Sequence, residues 1–371
     1  MMKPGTHIAP RCEPPVLLFD KYPALVEKLP HVNLGVYPTP VEQLEHMGHE
    51  SLWIKREDLS SPLYGGNKVR KLEFTLAQAL RDERKKVVTM GGIGTNHGLA
   101  TAIFCKKLGL ATRLLLFPQP VTRHVKRNLL LFHKYGAELV AYKTLLGAGA
   151  AFYASQRLKN PRAYFLYAGG SSPMGTVGVV NAMFELKEQV DSGLMPEPDY
   201  IFCPLGSNGT AAGLALGGIL AGLKSRVIGV RVTLDHAGPI QIANRGTVKA
   251  LMKQTLALLR KSSSDIPDVK IPDQVVIDSY LGDGYGCPTP ACRDAIARVK
   301  ELEGITLDPT YTAKTFAAMR DFIKEPGHSR ETILYWHTYN SVDNSSLATT
   351  VDYHALPREL HYAFETPEVE V

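Results

Sequence analysis

The chain has 371 residues, 44% of them hydrophobic and 21% charged, with a net charge of +6 from 42 basic and 36 acidic side chains. Those proportions exclude a disordered tail, a fibre and a disulfide-stapled miniprotein, and at roughly 150 residues per domain the length predicts two domains. The basic excess is mild: its densest runs, Arg84–Lys86 and Arg123–Arg127, are short and carry no Phe, Tyr or Trp, so they read as solvated faces rather than a nucleic-acid surface.

Read in chain order, residues 1–50 form a proline-rich extended arm with a short helix near Tyr22–Lys28. The first fifteen residues carry no apolar stretch of the secretory kind. Ser51–Lys55 is expected as a strand and Leu63–Asn67 as a glycine-rich turn. Lys68–Arg81 has helical spacing, with Val69, Leu72, Leu76 and Leu80 on its apolar stripe. A unit of short apolar strand, glycine turn and helix then recurs. Lys86–Met90 leads through Gly91–Gly94 to a helix over Asn96–Leu108, and Thr112–Phe117 leads to a helix over Val121–Tyr135. Glu138–Ala141 is a further strand, Ala163–Tyr167 precedes a helix over Met174–Gln189, and Tyr200–Cys203 precedes a helix ending at Leu223. Val227–Val232 is a strand, followed by helices over Lys249–Lys261, Thr289–Leu302 and Thr315–Phe322 and a strand over Thr332–Trp336. The tail, Glu365–Val371, reads as acidic and frayed. Strands apolar on both faces, alternating with helices, predict an α/β fold of parallel sheets covered on both sides, in which ligands gather at the carboxyl ends of strands.

Five cysteines with no CxxC pair predict reduced thiols in a cytoplasmic enzyme rather than a zinc site or a disulfide framework. The histidines are scattered, and no metal site is expected. The least polar stretch, Thr210–Leu223, falls short of the roughly 20 residues that span a bilayer.

Gly206-Ser207-Asn208-Gly209-Thr210 follows a strand and opens a helix. Its small residues let backbone N–H groups converge and its hydroxyls add donors, so it reads either as a phosphate cup or as a tight turn without a ligand. It lacks the spacing of a nucleotide P-loop and of a dinucleotide fingerprint. Lys68 follows Gly65-Gly66-Asn67 at a helix start, where positive dipole charge lowers an ammonium pKa and suits a Schiff-base lysine. Taken alone, an ordinary surface lysine at 68 or 71 is the plainer reading. Thr95 and Asn96, in Gly94-Thr95-Asn96-His97, suit either a carboxylate site or a helix cap, and His97 reads as a packed histidine. Tyr285 in Asp283-Gly284-Tyr285-Gly286 and Tyr311 in Asp308-Pro309-Thr310-Tyr311-Thr312 suit ring stacking or acid–base work as well as plain turn or core positions.

The order of these motifs is more specific than any one of them. Gly65–Glu73, Gly94–His97, Gly206–Gly213, Asp283–Pro288 and Asp308–Lys314, with Leu34–Pro40 and Trp53–Asp58, together resemble the 1-aminocyclopropane-1-carboxylate deaminase and D-cysteine desulfhydrase family over about residues 35–340. These are pyridoxal 5'-phosphate (PLP) enzymes of the tryptophan-synthase-β fold type. The resemblance implies two open twisted parallel-sheet domains with the cofactor in the cleft between them: a small domain of residues 72–178 and a large one of residues 1–71 plus 179–371. It implies that Lys68 carries the cofactor and then acts as base, and that Asn96 bonds the cofactor's phenolic oxygen. Thr95, beside Asn96 and His97, would hold the substrate carboxylate. Ser207, Asn208, Gly209 and Thr210 would hold the phosphate. Tyr285 and Tyr311 would flank the ring and substrate, and Thr312 would face the pyridine nitrogen. It further implies a small amino-acid substrate and a homodimer, with no nucleic-acid or membrane partner.

Position 312 separates the two named activities. The deaminase resemblance calls for Glu there, whereas Thr312 offers a neutral hydroxyl, which suits α,β-elimination of the D-cysteine desulfhydrase kind, giving keto acid, ammonia and sulfide. Ring-opening deamination and β-replacement on a modified substrate are the alternatives. Gly94-Thr95 stands where the family has Gln-Ser, Tyr339-Asn340 where it has Gly-Gly, no arginine follows His97, and residues 244–269 are longer than expected. Together these imply an altered substrate pocket.

Overall fold

The structure, a computed structural model, describes residues 16–369, so the expectations for residues 1–15 and for Cys12 lie outside the described residues. The described residues open with two short helices, Leu17–Lys21 and Leu25–Lys28, rather than one, because Pro23 interrupts the turn between them. An antiparallel pair follows, β1 (Val41–Gln43) and β2 (Leu52–Lys55). Four parallel strands, β3 (Lys86–Gly92), β4 (Ala111–Phe117), β5 (Glu138–Ala141) and β6 (Tyr164–Phe165), then form one sheet in the order β5-β4-β3-β6. The chain continues with β7 (Tyr200–Leu205), β8 (Arg226–Arg231), a hairpin of β9 (His236–Ala237) and β10 (Ile240–Gln241), β11 (Val275–Ile277) and β12 (Ile333–Trp336). These complete a six-stranded sheet in the order β1-β2-β12-β7-β8-β11, parallel except at its β1 edge.

Both sheets are covered on both faces, as the unbroken apolar runs predict. In β7, Ile201, Cys203 and Leu205 pack against the helices Pro173–Asp191, Gly209–Ala221 and Arg245–Ser262, while Phe202 faces Pro290–Glu303 and Thr312–Phe322. In the smaller sheet, Val87, Leu114 and Leu116 meet the helices Lys68–Arg81, Asn96–Lys107 and Arg123–Lys134; Val88, Met90 and Leu115 meet Ala148 and Phe152. Each sheet thus has its own core. We propose residues 72–178 as the smaller unit, onto which Ala348, Leu356, Leu360 and Ala363 return to pack.

The helix boundaries differ from expectation where a cap decides them. Arg123–Lys134 begins later than Val121 because the Thr122 hydroxyl accepts from Val125 N. Arg245–Ser262 begins earlier than Lys249 because Asn244 and Thr247 form a reciprocal capping box. A helical segment over residues 145–159, with a π-turn at Ala151–Ser155, has no counterpart in the sequence expectation, since Gly147 and Gly149 weaken its helical signal. The expected strand at Ala163–Tyr167 shrinks to Tyr164–Phe165. The tail is tied down as far as it is described: Val369 N–H donates to Val121 O, and Glu368 pairs with Lys126 at 3.4 Å.

One buried polar cluster anchors the helix that carries Lys68. Arg70 donates to both Glu57 oxygens at 2.7 Å and to Glu185 Oε1 at 2.9 Å. Lys55 donates to Glu185 Oε1 at 2.6 Å, to Gln189 Oε1 at 2.6 Å and to Thr39 O at 2.7 Å. All four charged groups are buried. Burial pushes the Glu185 carboxyl up, but Arg70 and Lys55 outweigh it and hold that group down at about 2, against an ordinary 4.5. A carboxyl depressed in the folded state stabilises the fold above its ordinary pKa, and that stabilisation is lost as pH falls through the folded value. Urea unfolding is therefore expected to show stability falling between about pH 4.5 and pH 2. Glu185→Ala, which strands Lys55, is expected to lower stability by about 3–5 kcal/mol at neutral pH and to flatten that acid dependence.

Candidate active site

The carboxyl ends of β3, β4, β6, β7, β8 and β12 open onto one cavity of about 910 Å³ between the two sheets. This is the place where parallel sheets bind ligands. Lys68, Thr95, Asn96, His97, Ser207, Asn208, Thr210, Tyr285 and Tyr311 all line it. Gly209 and Thr312 are buried and do not contribute to the lining.

The lysine turn is built by a close approach of three loops. Gly66 has φ +95°, and a Cβ there would sit 2.8 Å from Thr338 O. A Cβ on Gly65 would sit 1.8 Å from Asp58 O, so no larger residue fits. Asn340 Oδ1 accepts from Gly65 N at 2.7 Å, which ties the segment after β12 to this turn. Lys68 Nζ donates to Asn67 Oδ1 at 2.8 Å, and Asn67 Nδ2 donates to Thr210 Oγ1 at 2.6 Å. Burial brings the Lys68 ammonium down to about 8, against the upward pull of Asp308. A substantial neutral fraction, able to attack a carbonyl, is therefore present near physiological pH.

Opposite lies the turn before the helix Gly209–Ala221, whose leading N–H groups have no helical acceptor. Ser171 Oγ donates to Ser207 Oγ at 2.9 Å and accepts from Gly209 N at 3.1 Å. Asn208 turns its side chain away, donating to Ile242 O and accepting from Thr247, so only its backbone, at φ +68°, faces this turn. Lys71 is fully buried here, with Gly169 O at 3.1 Å and Ser171 Oγ at 3.4 Å as acceptors, and no acidic side chain pairs with it among the described residues. Burial, and secondarily Lys68, push it well below an ordinary lysine. The surface-lysine reading of Lys71 is thus corrected: the loop 169–171, remote in sequence, covers it. A Cβ on Gly209 would sit 2.6 Å from Ser171 Oγ and 2.9 Å from Lys71 Nζ, so the turn is open only to a glycine.

Thr95 caps the helix Asn96–Lys107, its hydroxyl accepting from Gly98 N at 3.2 Å, and keeps its own proton for the cavity. His97 packs as expected, sharing a hydrogen bond with Thr89 at 3.0 Å while its Nδ1 has no partner. The hydroxyls of Tyr285 and Tyr311 bond each other. Burial raises Tyr285 to about 12 and Tyr311 well above the ordinary tyrosine value, so both stay protonated. Thr312 stands one layer behind the wall. Its hydroxyl accepts from Asp308 N at 2.6 Å and donates to Asp308 Oδ1 at 2.7 Å. Asp308 lines the cavity in its place, but its oxygens already accept from Thr310 N, Tyr311 N, Thr312 N and Thr312 Oγ1.

Two further residues depart from expectation. His124 and Arg127, read as part of a solvated face, turn inward, because the first turn of Arg123–Lys134 packs on the Gly94–Asn96 turn: His124 Nε2 lies 2.8 Å from Asn96 Oδ1 and Arg127 lies 2.9 Å from His124 Nδ1. Among the described residues no group of three metal-ligating side chains occurs, no helix is long and apolar enough to cross a membrane, and Cys105, Cys203, Cys287 and Cys292 are free.

Residues 32–338 match the family model of the pyridoxal-phosphate dependent enzymes. The chain belongs to that family. A Thermotoga maritima protein carrying a provisional 1-aminocyclopropane-1-carboxylate deaminase name is 31% identical over 317 residues, covering 83% of this chain and 95% of that protein. The D-cysteine desulfhydrase of Salmonella schwarzengrund is 32% identical over 325 residues, covering 84% and 94%. The crystal structure of an ACC deaminase homologue superposes with a TM-score of 0.72 at 30% identity, covering 92% of this chain and 98% of that one. A threonine deaminase structure, at 19% identity and a TM-score of 0.56, shares the fold.

A pyridoxal-phosphate dependent enzyme needs an amine for the aldehyde and a cradle for the phosphate. The cavity meets both needs. Lys68 supplies an amine of lowered pKa. The Ser207–Thr210 turn combines leading helix N–H groups that have no helical acceptor with hydroxyls, and directly behind it Lys71 is a buried amine whose missing counter-charge a phosphate would supply.

Proposed function

We propose that this enzyme is a lyase of small amino acids that carries out α,β-elimination of the D-cysteine desulfhydrase kind, releasing keto acid, ammonia and sulfide. The observation that carries this reading is the saturated pair Thr312–Asp308. The Thr312 hydroxyl is bound to Asp308 by both its lone pair and its proton, and the Asp308 carboxylate already accepts four donors, about all the lone-pair sites it has. Asp308 is the only carboxylate among the described residues that line the cavity, so none there is free to hold a proton at the cofactor ring. A weaker electron sink suffices when the β-substituent is a good leaving group such as sulfide, and falls short for opening a cyclopropane ring.

When bound, the cofactor withdraws electrons from the substrate Cα. The roles we assign to the protein follow from placement. Ser207, Thr210 and the Asn208 backbone line the cavity and hold the phosphate, with Gly209 and Lys71 directly behind them. Thr95, with neighbouring amides, holds the substrate carboxylate beside Asn96 and His97. Lys68 would take the Cα proton. The Tyr285–Tyr311 pair, kept protonated, donates toward the departing group. The released unsaturated amine hydrolyses to keto acid and ammonia.

The test is a product assay on purified enzyme supplied with PLP. D-Cysteine is expected to yield sulfide and pyruvate in equal amounts, with no 2-oxobutyrate from 1-aminocyclopropane-1-carboxylate. Production of 2-oxobutyrate, with D-cysteine inert, would overturn the elimination reading. The outer cavity wall is apolar, formed by Leu145, Leu146, Phe152, Tyr153, Leu234 and Ile240, and this favours a second reading in which a larger thioether is the substrate. Faster keto-acid release from S-benzyl-D-cysteine than from D-cysteine would select it.

A further inference from the structure

Asn96 does not choose its orientation freely. A guanidinium has only N–H donors, so Arg127, 2.9 Å from His124 Nδ1, must donate to it. The neutral ring then carries its proton on Nε2, which donates to Asn96 Oδ1 at 2.8 Å. Burial, followed by Arg127, brings the His124 imidazole down to about 3, consistent with a neutral ring. Two more donors converge on the same oxygen: Tyr64 OH at 3.3 Å and Asn128 Nδ2 at 3.3 Å. Asn128 Nδ2 also lies 3.0 Å from His124 Nε2, but its two protons go to Gly94 O, at 2.9 Å, and to Asn96. With Oδ1 occupied, the Asn96 NH₂ group has no protein acceptor among the described residues, and Asn96 lines the cavity. Tyr339 closes the back of this chain. Its hydroxyl accepts from Arg127 at 3.3 Å and lies 3.3 Å from His124 Nδ1, which gives the bulky residue at this position a structural purpose.

We propose that His124, polarised by Arg127 and buttressed by Tyr339, is a positioning residue that locks Asn96 with its N–H donors toward the cofactor's phenolic oxygen. The proposal rests on the reading that Asn96 faces the bound cofactor. Without His124, whose contact is the shortest of the three, only the two 3.3 Å donors hold the Asn96 oxygen, and the amide can rotate and present its carbonyl oxygen to an oxygen of the ligand, an arrangement that repels. Gln at position 124 can both accept from Arg127 and donate to Asn96; Phe can do neither.

The test combines PLP affinity, by fluorescence quenching, with the visible absorption maximum of the loaded protein. His124→Phe is expected to weaken binding about tenfold to a hundredfold and to shift the maximum, with His124→Gln restoring both. In an Asn96→Ala background, His124→Phe is expected to have no further effect on either readout, because His124 acts only through Asn96. An unchanged spectrum and affinity in His124→Phe, or an equal loss in the Asn96→Ala background, would overturn the proposal. If Asn96→Ala by itself leaves the loaded spectrum unchanged, it is the placement of Asn96 at the cofactor that fails. Should His124→Phe not fold, ¹⁵N NMR of the wild type decides: a proton on Nε2 supports the lock, and a proton on Nδ1 contradicts it.

Discussion

Lys68→Ala is expected to abolish the proposed sulfide release and the visible absorption of the loaded protein while leaving the fold intact. Lys68 takes no part in the Arg70–Glu57–Glu185–Lys55 cluster, and among the described residues the one hydrogen bond of its side chain is to Asn67. Its removal therefore strips chemistry rather than structure, and the melting temperature should move little. Loss of a positioned base alone lowers turnover by about 10²–10⁴-fold, and loss of the attachment point adds to that. The measurement is kcat for sulfide release, with Lys68→Ala and wild type compared at saturating PLP. Retention of a tenth or more of the wild-type rate would remove Lys68 from the central role.

Lys71→Met is expected to produce the second largest effect, and of a different kind. The side chain sits against Gly169 O and Ser171 Oγ with no counter-ion among the described residues. A charge-assisted hydrogen bond contributes about 1.5–3 kcal/mol, so PLP affinity should fall roughly 10- to 150-fold. Affinity for pyridoxal, which lacks the phosphate, should hardly change. The cofactor-free variant should be at least as stable as the wild type, since an unpaired buried amine has been replaced by an apolar side chain of similar length. Equal losses for PLP and pyridoxal in equilibrium titrations would mean that Lys71 does not meet the phosphate.

What could be read from the sequence follows from how local each cause is. The Gly65-Gly66 turn, the helix from Lys68 and the Gly206–Thr210 turn are encoded by adjacent residues, so their positions were legible. The strand order was legible only as a class, because pairing β12 between β2 and β7 depends on contacts far apart in the chain. Lys71 looked like a surface lysine because the segment that buries it lies about a hundred residues away, in the loop 169–171. His124 and Arg127 were hidden in a charged run, and only the packing of Thr122–Val125 against Gly94 and Asn96 turns them inward. For Thr312 the signal was present but unread: Asp308 stands four residues earlier, and an aspartate there gathers the N–H groups of Thr310, Tyr311 and Thr312 in a local side-chain-to-backbone turn. The early start of Arg245–Ser262 was likewise written in the Asn244 and Thr247 spacing.

Lys68, and not its buried neighbour Lys71, is expected to carry the cofactor. The most direct measurement is to load the protein with PLP, reduce it with borohydride, digest it and locate the phosphopyridoxyl group by fragmentation mass spectrometry. A single modified residue, Lys68, is expected. Modification of Lys71, or a label scattered over surface lysines with Lys68 unmodified, would contradict that expectation.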